Sequence, residues 1–277
     1  MLSLRAHAKV NFGLSVRERR KDGYHNIESV FQKIDLYDEI HIEKTESETI
    51  FDTNSLPYEE NNICHRVIER FLDLSNVEGG VRVHLQKNIW LGSGLGGASS
   101  DAATLLQGLN RMYEYPLEKD ALFEIATSLG SDVPFFLNGN TAIVGGRGDI
   151  ILPLHIQLPL YLVLVYPGFE IKTEWAYRAI DEGKTGERKG VESVVKSLEE
   201  GDIDGFASAL FNDFEKVVFK KYPVIAEIKE KLLRSGCIGT SLSGSGSVIY
   251  GIMREREDEE GWKRCIVSED VRVVKCL

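Results

Sequence analysis

The chain is short of several things, and each shortage narrows the field. It has no unbroken apolar run of membrane-spanning length: the most apolar stretch, LPLYLVLVYPGF, falls well below the ~20 residues that a bilayer span needs. The N-terminal MLSLRAHAKVNFGLSV is interrupted by Arg5, His7 and Lys9, so it lacks the continuous apolar core of a signal peptide. Cys64, Cys237, Cys265 and Cys276 include no C-x-x-C pair, which argues against a disulfide framework or a zinc site and suits the reduced thiols of a cytoplasmic protein. Basic residues are outnumbered, 33 Lys and Arg against 43 Asp and Glu, for a net charge of −10. A general polyanion binder needs many cations to neutralise phosphates, so neither nucleic acid nor a membrane surface is expected as a partner. Any phosphate site must be local. No internal repeat or low-complexity linker is present, and 277 residues suit one large domain or two intimate ones.

Glycine, by contrast, is concentrated. LGSGLGGASSDAA, from Leu91 to Ala103, carries Gly92, Gly94, Gly96 and Gly97 before turning to small polar residues. The spacing Gly92, Gly94, Gly97 matches the dinucleotide pattern, but a lone match is weak. A Walker-type loop needs Lys followed by Ser or Thr after its last glycine, and here Ala98, Ser99 and Ser100 follow. A dinucleotide-binding unit should have a near-continuous apolar strand ahead of the glycines, whereas VRVHLQKNI alternates as a half-exposed antiparallel strand does. A protein-kinase glycine loop should run into another strand, yet SSDAATLLQGLNRMYE reads as a helix with Ser99, Ser100 or Asp101 as N-cap. What remains is strand, glycine loop, helix N-terminus, a geometry that aims free N–H groups and a positive helix end at an anion such as phosphate. A tight structural turn has the same composition.

The coarse order of elements predicts an α+β protein in two lobes. The first third reads as strands LRAHAKVNFGLSV, NIESVFQKIDL, DEIHIEKT and VRVHLQKNI, with a helix in ENNICHRVIERFLDLS. Two helices then run from Ser99 to Gly130, the second closed by Gly130 where helix ends favour glycine. SDVPFFLNGNTAIVGGRGDIILPL reads as loop and short strands, and a seam is expected at residues 155/156, giving domains 1–155 and 156–277. The remainder holds the strand LYLVLVYP, helices from about Thr173, Gly190, Asp204 and through VIAEIKEKLLRSG, then strands SVIYGI and VRVVKCL around a short amphipathic stretch at Trp262. DEGKTGERKG reads as an exposed loop.

Other residues stand out singly. SLSGSGSVIYGI offers a second glycine cluster, Ser243, Gly244, Ser245, Gly246 and Ser247, ahead of an apolar strand. Lys9 and Asn11 interrupt a strand-like run, Tyr24 and His25 follow a turn at Asp22 and Gly23, and Asp132 is set among apolar residues beside Pro134. Each alone is equally compatible with a cap, a turn or a core position.

Taken together, AHAKVNFGLSV, DGYHNIESVF, GSGLGGASSDAA, GSDVPFFL, NDFE and SLSGSGSVIYG resemble the GHMP superfamily of small-molecule kinases, in the expected order and over nearly the whole chain. Within it, AKVN, DGYHNIES and GLGGASSDAA together resemble the sub-family that uses ATP to phosphorylate the 2-hydroxyl of a cytidine-diphosphate-linked methylerythritol in the non-mevalonate isoprenoid pathway. One departure is Trp90, where the family commonly has Pro.

The resemblance implies a ribosomal-protein-S5-like N-terminal lobe and a ferredoxin-like C-terminal lobe. It implies Asp132 as catalytic base and Lys9 as its cationic neighbour, with Lys9 also screening charge on the transferring phosphate. It implies ATP on Gly92, Ser93, Gly94, Leu95, Gly96, Gly97, Ala98, Ser99 and Ser100, with Asn62 and Lys87 toward the nucleotide. Substrate contacts are implied for Asn11, Tyr24, His25, Thr173, Tyr177 and the Ser243, Gly244, Ser245, Gly246 cluster. Mg²⁺ is implied by the chemistry, with no ligand assignable. A cytoplasmic monomer or weak homodimer is expected. A sister kinase acting on homoserine or mevalonate, or an inactive ligand sensor of the same fold, shares most of these motifs and stays open.

Overall fold

The computed structural model describes residues 1–54, 62–156, 159–183, 189–266 and 270–277. Two long strands organise it. The alternating N-terminal pattern becomes β1 (Leu2–Arg19), paired with β2 (His25–Thr45). NIESVFQKIDL and DEIHIEKT, read as two strands, are one. The acidic DLYDE segment between them does not break the strand because Asp38 is wholly buried and its carboxylate accepts hydrogen bonds from the Asn88 and Ile89 N–H groups. The chain divides into two compact units, the first comprising Met1–Ala8, Leu36–Ile89 and Gly96–Gly139, the second Lys9–Asp35, Trp90–Leu95 and Asn140–Leu277. These units are interleaved along the sequence because β1 and β2 each contribute one end to either unit.

In the first unit the C-terminal half of β2 pairs antiparallel with β4 (Gly80–Gln86), Ile42 opposite Val83. A strand absent from the sequence reading, β3 (Ile50–Thr53), adds in parallel to β4. The alternation of VRVHLQ puts Val81, Val83 and Leu85 into the core against α1 (Ile63–Ser75) and α2 (Gly97–Met112). Val67, Ile68 and Phe71 of α1 and Leu105, Leu106 and Leu109 of α2 are all buried, the helical spacing expected of core-facing stripes. The start of the ENNICH segment lies outside the described residues.

Two helices complete this unit, α3 (Lys119–Leu129) and α4 (Val133–Leu137). The segment VPFFL was read as loop on account of Pro134, but Pro in a first helical turn removes no needed donor, and the helix forms. Gly130 does cap α3, though with φ 175°, extended backbone open to any residue, so no left-handed turn explains it.

In the second unit the first half of β2 pairs with β5 (Thr141–Gly145), which pairs with β6 (Ile150–Pro153). The rest begins with β7 (Tyr161–Val165) and the helices α5 (Thr173–Glu182), α6 (Glu192–Glu200), α7 (Ile203–Ala209), α8 (Glu215–Lys221) and α9 (Pro223–Arg234). Next come the hairpin strands β8 (Gly239–Leu242) and β9 (Ile249–Met253), then α10 (Glu259–Ile266) and β10 (Val271–Lys275). The antiparallel order β10-β7-β9-β8 is that of a split βαβ sheet, the ferredoxin-like arrangement expected. α8 was not read from the sequence. Of the expected loop from Asp181 to Gly190, Asp181 and Glu182 end α5 and residues 184–188 lie outside the described set. All four cysteines are free thiols, with only Cys265 exposed. Among the described residues no helix is long and apolar enough to cross a membrane.

Candidate active site

The first glycine cluster spans the passage between the units. Gly92, Gly94 and Gly96 have φ of 58°, 80° and 71°, values that glycine adopts without a Cβ penalty. Around them the backbone is pinned. The Gly92 carbonyl accepts from Ile171 N–H at 3.4 Å, the Leu95 carbonyl from Lys9 N–H at 2.9 Å and the Ser93 carbonyl from Val248 N–H at 3.1 Å. The Ser93 hydroxyl turns inward to the Trp90 carbonyl at 2.6 Å, and the Leu95 side chain is fully buried. Trp90 stacks on Tyr166 with centroids 5.5 Å apart, which anchors the loop entry.

The helix begins earlier than the sequence suggested. Gly96 is the N-cap of α2, and Ser99, Ser100 and Asp101 lie inside the helix. The first i to i−4 bond runs from Ser100 N–H to the Gly96 carbonyl at 2.9 Å, so the N–H groups of Gly97, Ala98 and Ser99 precede any intrahelical acceptor. Among the described residues no side chain caps this end, and no acidic residue stands in its first turn. Such an end favours an anion. Ala98 is exposed and Ser99 half-buried, whereas Ser100 is buried, its hydroxyl donating to the His7 carbonyl at 2.7 Å.

The second cluster meets the first. Within the second unit the Ser243 hydroxyl donates to the Gly94 carbonyl at 3.0 Å, and a Cβ added at Gly94 would fall on the Ser243 carbonyl oxygen. The cluster's own N–H groups are largely engaged: Ser243 with Val248, Gly246 with Ser243, and Gly244 with the Asn11 side-chain oxygen at 3.0 Å. Ser243, Ser245 and Ser247 are buried, Ser247 bonding to the Phe169 carbonyl. Asn212, in the NDFE motif, donates to the carbonyls of Leu242 and Gly244, both at 2.8 Å, and Glu215 accepts from Leu242 N–H at 3.0 Å. NDFE was noticed as a motif, but nothing in its composition assigned these contacts.

Lys9 is 3 % exposed, and its ammonium donates to Asn11 Oδ1 at 2.8 Å while lying 4.5 Å from the centre of the Phe31 ring. Asn11 is a hub: its oxygen also accepts from Gly244 N–H, its amide donates to Ser29 Oγ at 3.0 Å, and its carbonyl accepts from the Tyr250 hydroxyl at 2.7 Å. The catalytic candidate and the second glycine cluster therefore share one orienting side chain.

In the first unit Lys87 does not extend outward. Its ammonium bonds to Asp38 and, at 2.6 Å, to Asp101, with all three side chains 8 % exposed or less. Burial disfavours the Lys87 charge, but the two carboxylates outweigh it and hold its pKa above the ordinary lysine value. Burial raises Asp101 to about 7, with Lys87 pulling the other way and Asp38 adding to the rise. Asn62, the other residue expected toward the nucleotide, caps α1, its side chain accepting from Cys64 N–H at 2.9 Å.

The profile of the GHMP kinases N terminal domain matches residues 62–140, and that of the GHMP kinases C terminal domain matches residues 194–267. A 4-diphosphocytidyl-2-C-methyl-D-erythritol kinase of Thermodesulfovibrio yellowstonii is 41% identical, covering 100% of this chain and 98% of that protein. The chain belongs to this kinase family. The enzyme of the same name from Prosthecochloris aestuarii is 40% identical over 94% of this chain and 91% of its own. A crystal structure of 4-(cytidine 5'-diphospho)-2C-methyl-D-erythritol kinase superposes with a TM-score of 0.87 at 33% identity, covering 99% of both chains. A homoserine kinase from Cytophaga hutchinsonii, at 19% identity and TM-score 0.78, over 100% of this chain and 94% of its own, shares the fold.

The remaining candidates fall out as follows in this GHMP kinase. Asp132 belongs to the first unit, at the N-cap of α4. His25, Tyr24, Thr173 and Tyr177 belong to the second. His25 opens β2, buried, its Nε2 2.7 Å from Asp181 and its ring stacked on Tyr177 at 4.9 Å. Thr173 and Tyr177 share α5, one turn apart as expected, with the Thr173 hydroxyl 2.9 Å from Ser245 Oγ. Tyr177 also meets Phe214 edge-on at 4.9 Å. Tyr24 stays 52% exposed, with the Arg147 guanidinium 5.6 Å from its ring centre. Asp181 is the partner that sequence inspection did not supply, since a helix-terminal Asp in a polar run carries no distinguishing signal.

Proposed function

We propose that this kinase transfers the γ-phosphoryl group of ATP to the 2-hydroxyl of 4-diphosphocytidyl-2-C-methyl-D-erythritol, a step of the non-mevalonate route to isoprenoids. The observation that carries the reading is the 41% identity over the full chain to a kinase bearing that substrate's name. The uncapped N-terminus of α2 supports it, since the N–H groups of Gly97, Ala98 and Ser99 form a donor set suited to a phosphate.

Phosphoryl transfer asks a protein for positioning and for charge against the transferring group more than for covalent help. In this reading Asp132 accepts the proton of the substrate hydroxyl, Lys9 stabilises charge on the transferring group, and Asn11 holds the Lys9 ammonium in place. His25 and Tyr177, with Tyr24, take the cytosine base, while Thr173 and the Ser243 to Gly246 cluster line the acceptor. Among the described residues no three His, Cys, Asp or Glu side chains are grouped to hold a metal ion. Mg²⁺ bound with the triphosphate would supply neutralising charge and would need few protein ligands. The family's two domains divide at 155/156 in this reading. The protein acts in the cytoplasm as a monomer or weak homodimer.

The test is turnover with ATP and three acceptors offered separately: the cytidyl substrate, homoserine and mevalonate. ADP release with only the first, and a new phosphomonoester in the ³¹P spectrum of the product, are expected. Turnover of either other acceptor alone, or of none, overturns the reading.

A further inference from the structure

The NDFE segment, Asn212 to Glu215, bridges α7 and α8 in the second unit, and none of the roles above uses it. Two of its side chains fasten the segment itself. Asp213 Oδ2 accepts from Val16 N–H of β1 at 2.9 Å, and Glu215 pairs with Lys229 at 2.6 Å while accepting from Leu242 N–H of β8. The other two reach residues already given a part in catalysis or acceptor binding. Asn212 is buried, its Oδ1 accepting from Phe214 N–H at 2.9 Å and its amide nitrogen donating to both the Leu242 and the Gly244 carbonyls at 2.8 Å. The first of these bonds is a local turn that Asp or Ser makes equally well. The amide donors are surplus to that turn, and among the turn-forming side chains Asn alone supplies them. Through Gly244 the contact continues: its carbonyl is held by Asn212, its N–H donates to Asn11 Oδ1 at 3.0 Å, and that same oxygen accepts from the Lys9 ammonium at 2.8 Å. Asn212 and Lys9 are thus ends of one hydrogen-bonded chain. Phe214, also buried, meets Tyr177 edge-on at 4.9 Å, and Tyr177 lies stacked on His25.

We propose that the NDFE segment is a positioning element for the acceptor side of the kinase: Asn212 acts through Gly244 and Asn11 on the Lys9 ammonium, and Phe214 acts through Tyr177 on the acceptor's base. Neither residue touches a substrate. Lys9 is a point charge on a flexible stem, so its place depends on the acceptors it meets, and Asn11 Oδ1 is one of them. Gly244 has φ 55°, and the peptide groups on its two sides are held by Asn11 and Asn212 respectively. Without Asn212 the Gly244 carbonyl loses its donor, the peptide on that side can turn, and Asn11 is no longer fixed by the neighbouring N–H. The Lys9 charge then spreads over the positions its stem allows, which costs rate because transfer depends on alignment. Phe214 controls a different quantity. A Tyr177 ring without its edge-on neighbour can tilt away from His25, and a tilted ring stacks less well on a flat base while leaving the transfer step alone. Two residues of one short segment therefore govern kcat and acceptor affinity separately.

This inference rests on the roles given to Lys9 and Tyr177 in the proposed function, and the experiment separates the two. Turnover of the cytidyl substrate with ATP, calorimetric affinity for CDP and a melting curve are recorded for the wild type, Lys9→Met, Tyr177→Ala, Asn212→Ser, Asn212→Asp, Phe214→Leu and the double variant K9M/N212S. Wild-type kcat in Lys9→Met, or wild-type CDP affinity in Tyr177→Ala, removes the proposed role itself. Given a loss in each, the folded Asn212 variants should turn over at least about tenfold more slowly with CDP affinity within about twofold of the wild type, whereas Phe214→Leu should bind CDP at least about fivefold more weakly with kcat within about twofold. The double variant tests the route through Lys9: K9M/N212S should be no more than about twofold slower than Lys9→Met, and losses that multiply overturn the proposal. Parallel falls in kcat and CDP affinity at both positions mark the segment as structural and overturn it as well. Should neither Asn212 variant fold, Phe214→Leu decides, and wild-type CDP affinity in that variant overturns the proposal.

Discussion

The Ser243 hydroxyl donates to the Gly94 carbonyl at 3.0 Å across 149 residues of sequence, so the two glycine clusters are packed against each other. Part of the bare backbone in LGSGLGG is therefore there to admit protein, not ligand. Gly94→Ala would place a methyl group on the Ser243 carbonyl oxygen at φ 80° and should lower stability by about 1–3 kcal/mol, seen as a fall in melting temperature. Gly96→Val, at the N-cap of α2, should instead weaken ATP binding more than it lowers the melting temperature. Equal profiles for the two variants would mean the loop is a single structural turn.

Asn11 joins Lys9 to the second cluster, accepting from the Lys9 ammonium at 2.8 Å and from Gly244 N–H at 3.0 Å. Asn11→Leu keeps the volume but removes the acceptor of the Gly244 N–H and one partner each of the Lys9 ammonium and the Ser29 hydroxyl, and a buried polar group left without its partner costs about 1–3 kcal/mol. The expected result is a lower melting temperature together with a kcat reduced by at least tenfold. Lys9→Met should reduce kcat without the same loss of stability. If it altered only KM for ATP, Lys9 would be a binding residue and not part of the transfer step.

Asp132→Asn preserves shape while removing the proton acceptor. It should leave nucleotide affinity and melting temperature near those of the wild type and lower kcat by ~10²–10⁴. Single-turnover kinetics separate this from slow product release, and a near-normal rate in the chemical step would remove Asp132 from the mechanism.

Asp101 makes stability depend on pH in a defined direction. Its carboxyl is raised from 3.8 to about 7 in the folded chain, so the folded state binds the proton more tightly than the unfolded state does. The resulting stabilisation is complete below about pH 4 and is lost as pH rises through 7, with a slope of at most about 1.4 kcal/mol per pH unit between them. Urea midpoints for Asp101→Asn measured against the wild type should therefore diverge in favour of the variant as pH is raised from 4 to 7. A constant difference across that range would show that Asp101 does not carry the proton.

What could be read from the residues was what local chemistry announces: alternation in VRVHLQ, the glycine clusters as backbone exposed for a reason, and the polar Lys9 and Asn11 in an apolar strand. What could not be read depends on partners far away in sequence. Asp38 and Asp101 look like ordinary surface acids until Lys87 is brought between them, and DLYDE looks like a turn until Asp38 finds the Asn88 and Ile89 amides. The N-cap of α2 was misplaced for a related reason. Ser99, Ser100 and Asp101 are good caps by type, but glycine backbone at Gly96 starts the helix first and leaves Ser100 to bond with His7.

The acceptor's base yields the last prediction. Tyr24 and Tyr177 are both assigned to cytosine in the proposed function, but the fold treats them differently. Tyr177 is half-buried in α5, stacked on His25 at 4.9 Å and edge-on to Phe214, and His25 is itself held by Asp181 at 2.7 Å. Removing its ring should both unsettle His25 and open a gap against Phe214. Tyr24 is 52% exposed on a turn, so its ring is available to a ligand and contributes little to the core. Tyr24→Ala should weaken the cytidyl substrate by roughly 1–3 kcal/mol, the usual worth of base stacking on an aromatic ring, with melting temperature and ATP affinity unchanged. Tyr177→Ala should weaken it at least as much and lower the melting temperature as well, while Tyr177→Phe, which keeps both ring contacts, should restore stability and most of the affinity. Calorimetric titration with the cytidyl substrate and with the ATP analogue distinguishes the outcomes. Loss of both ligands together in Tyr24→Ala would mark that ring as structural and remove it from the cytosine site, and full substrate affinity in a folded Tyr177→Ala would do the same for the His25 and Tyr177 stack.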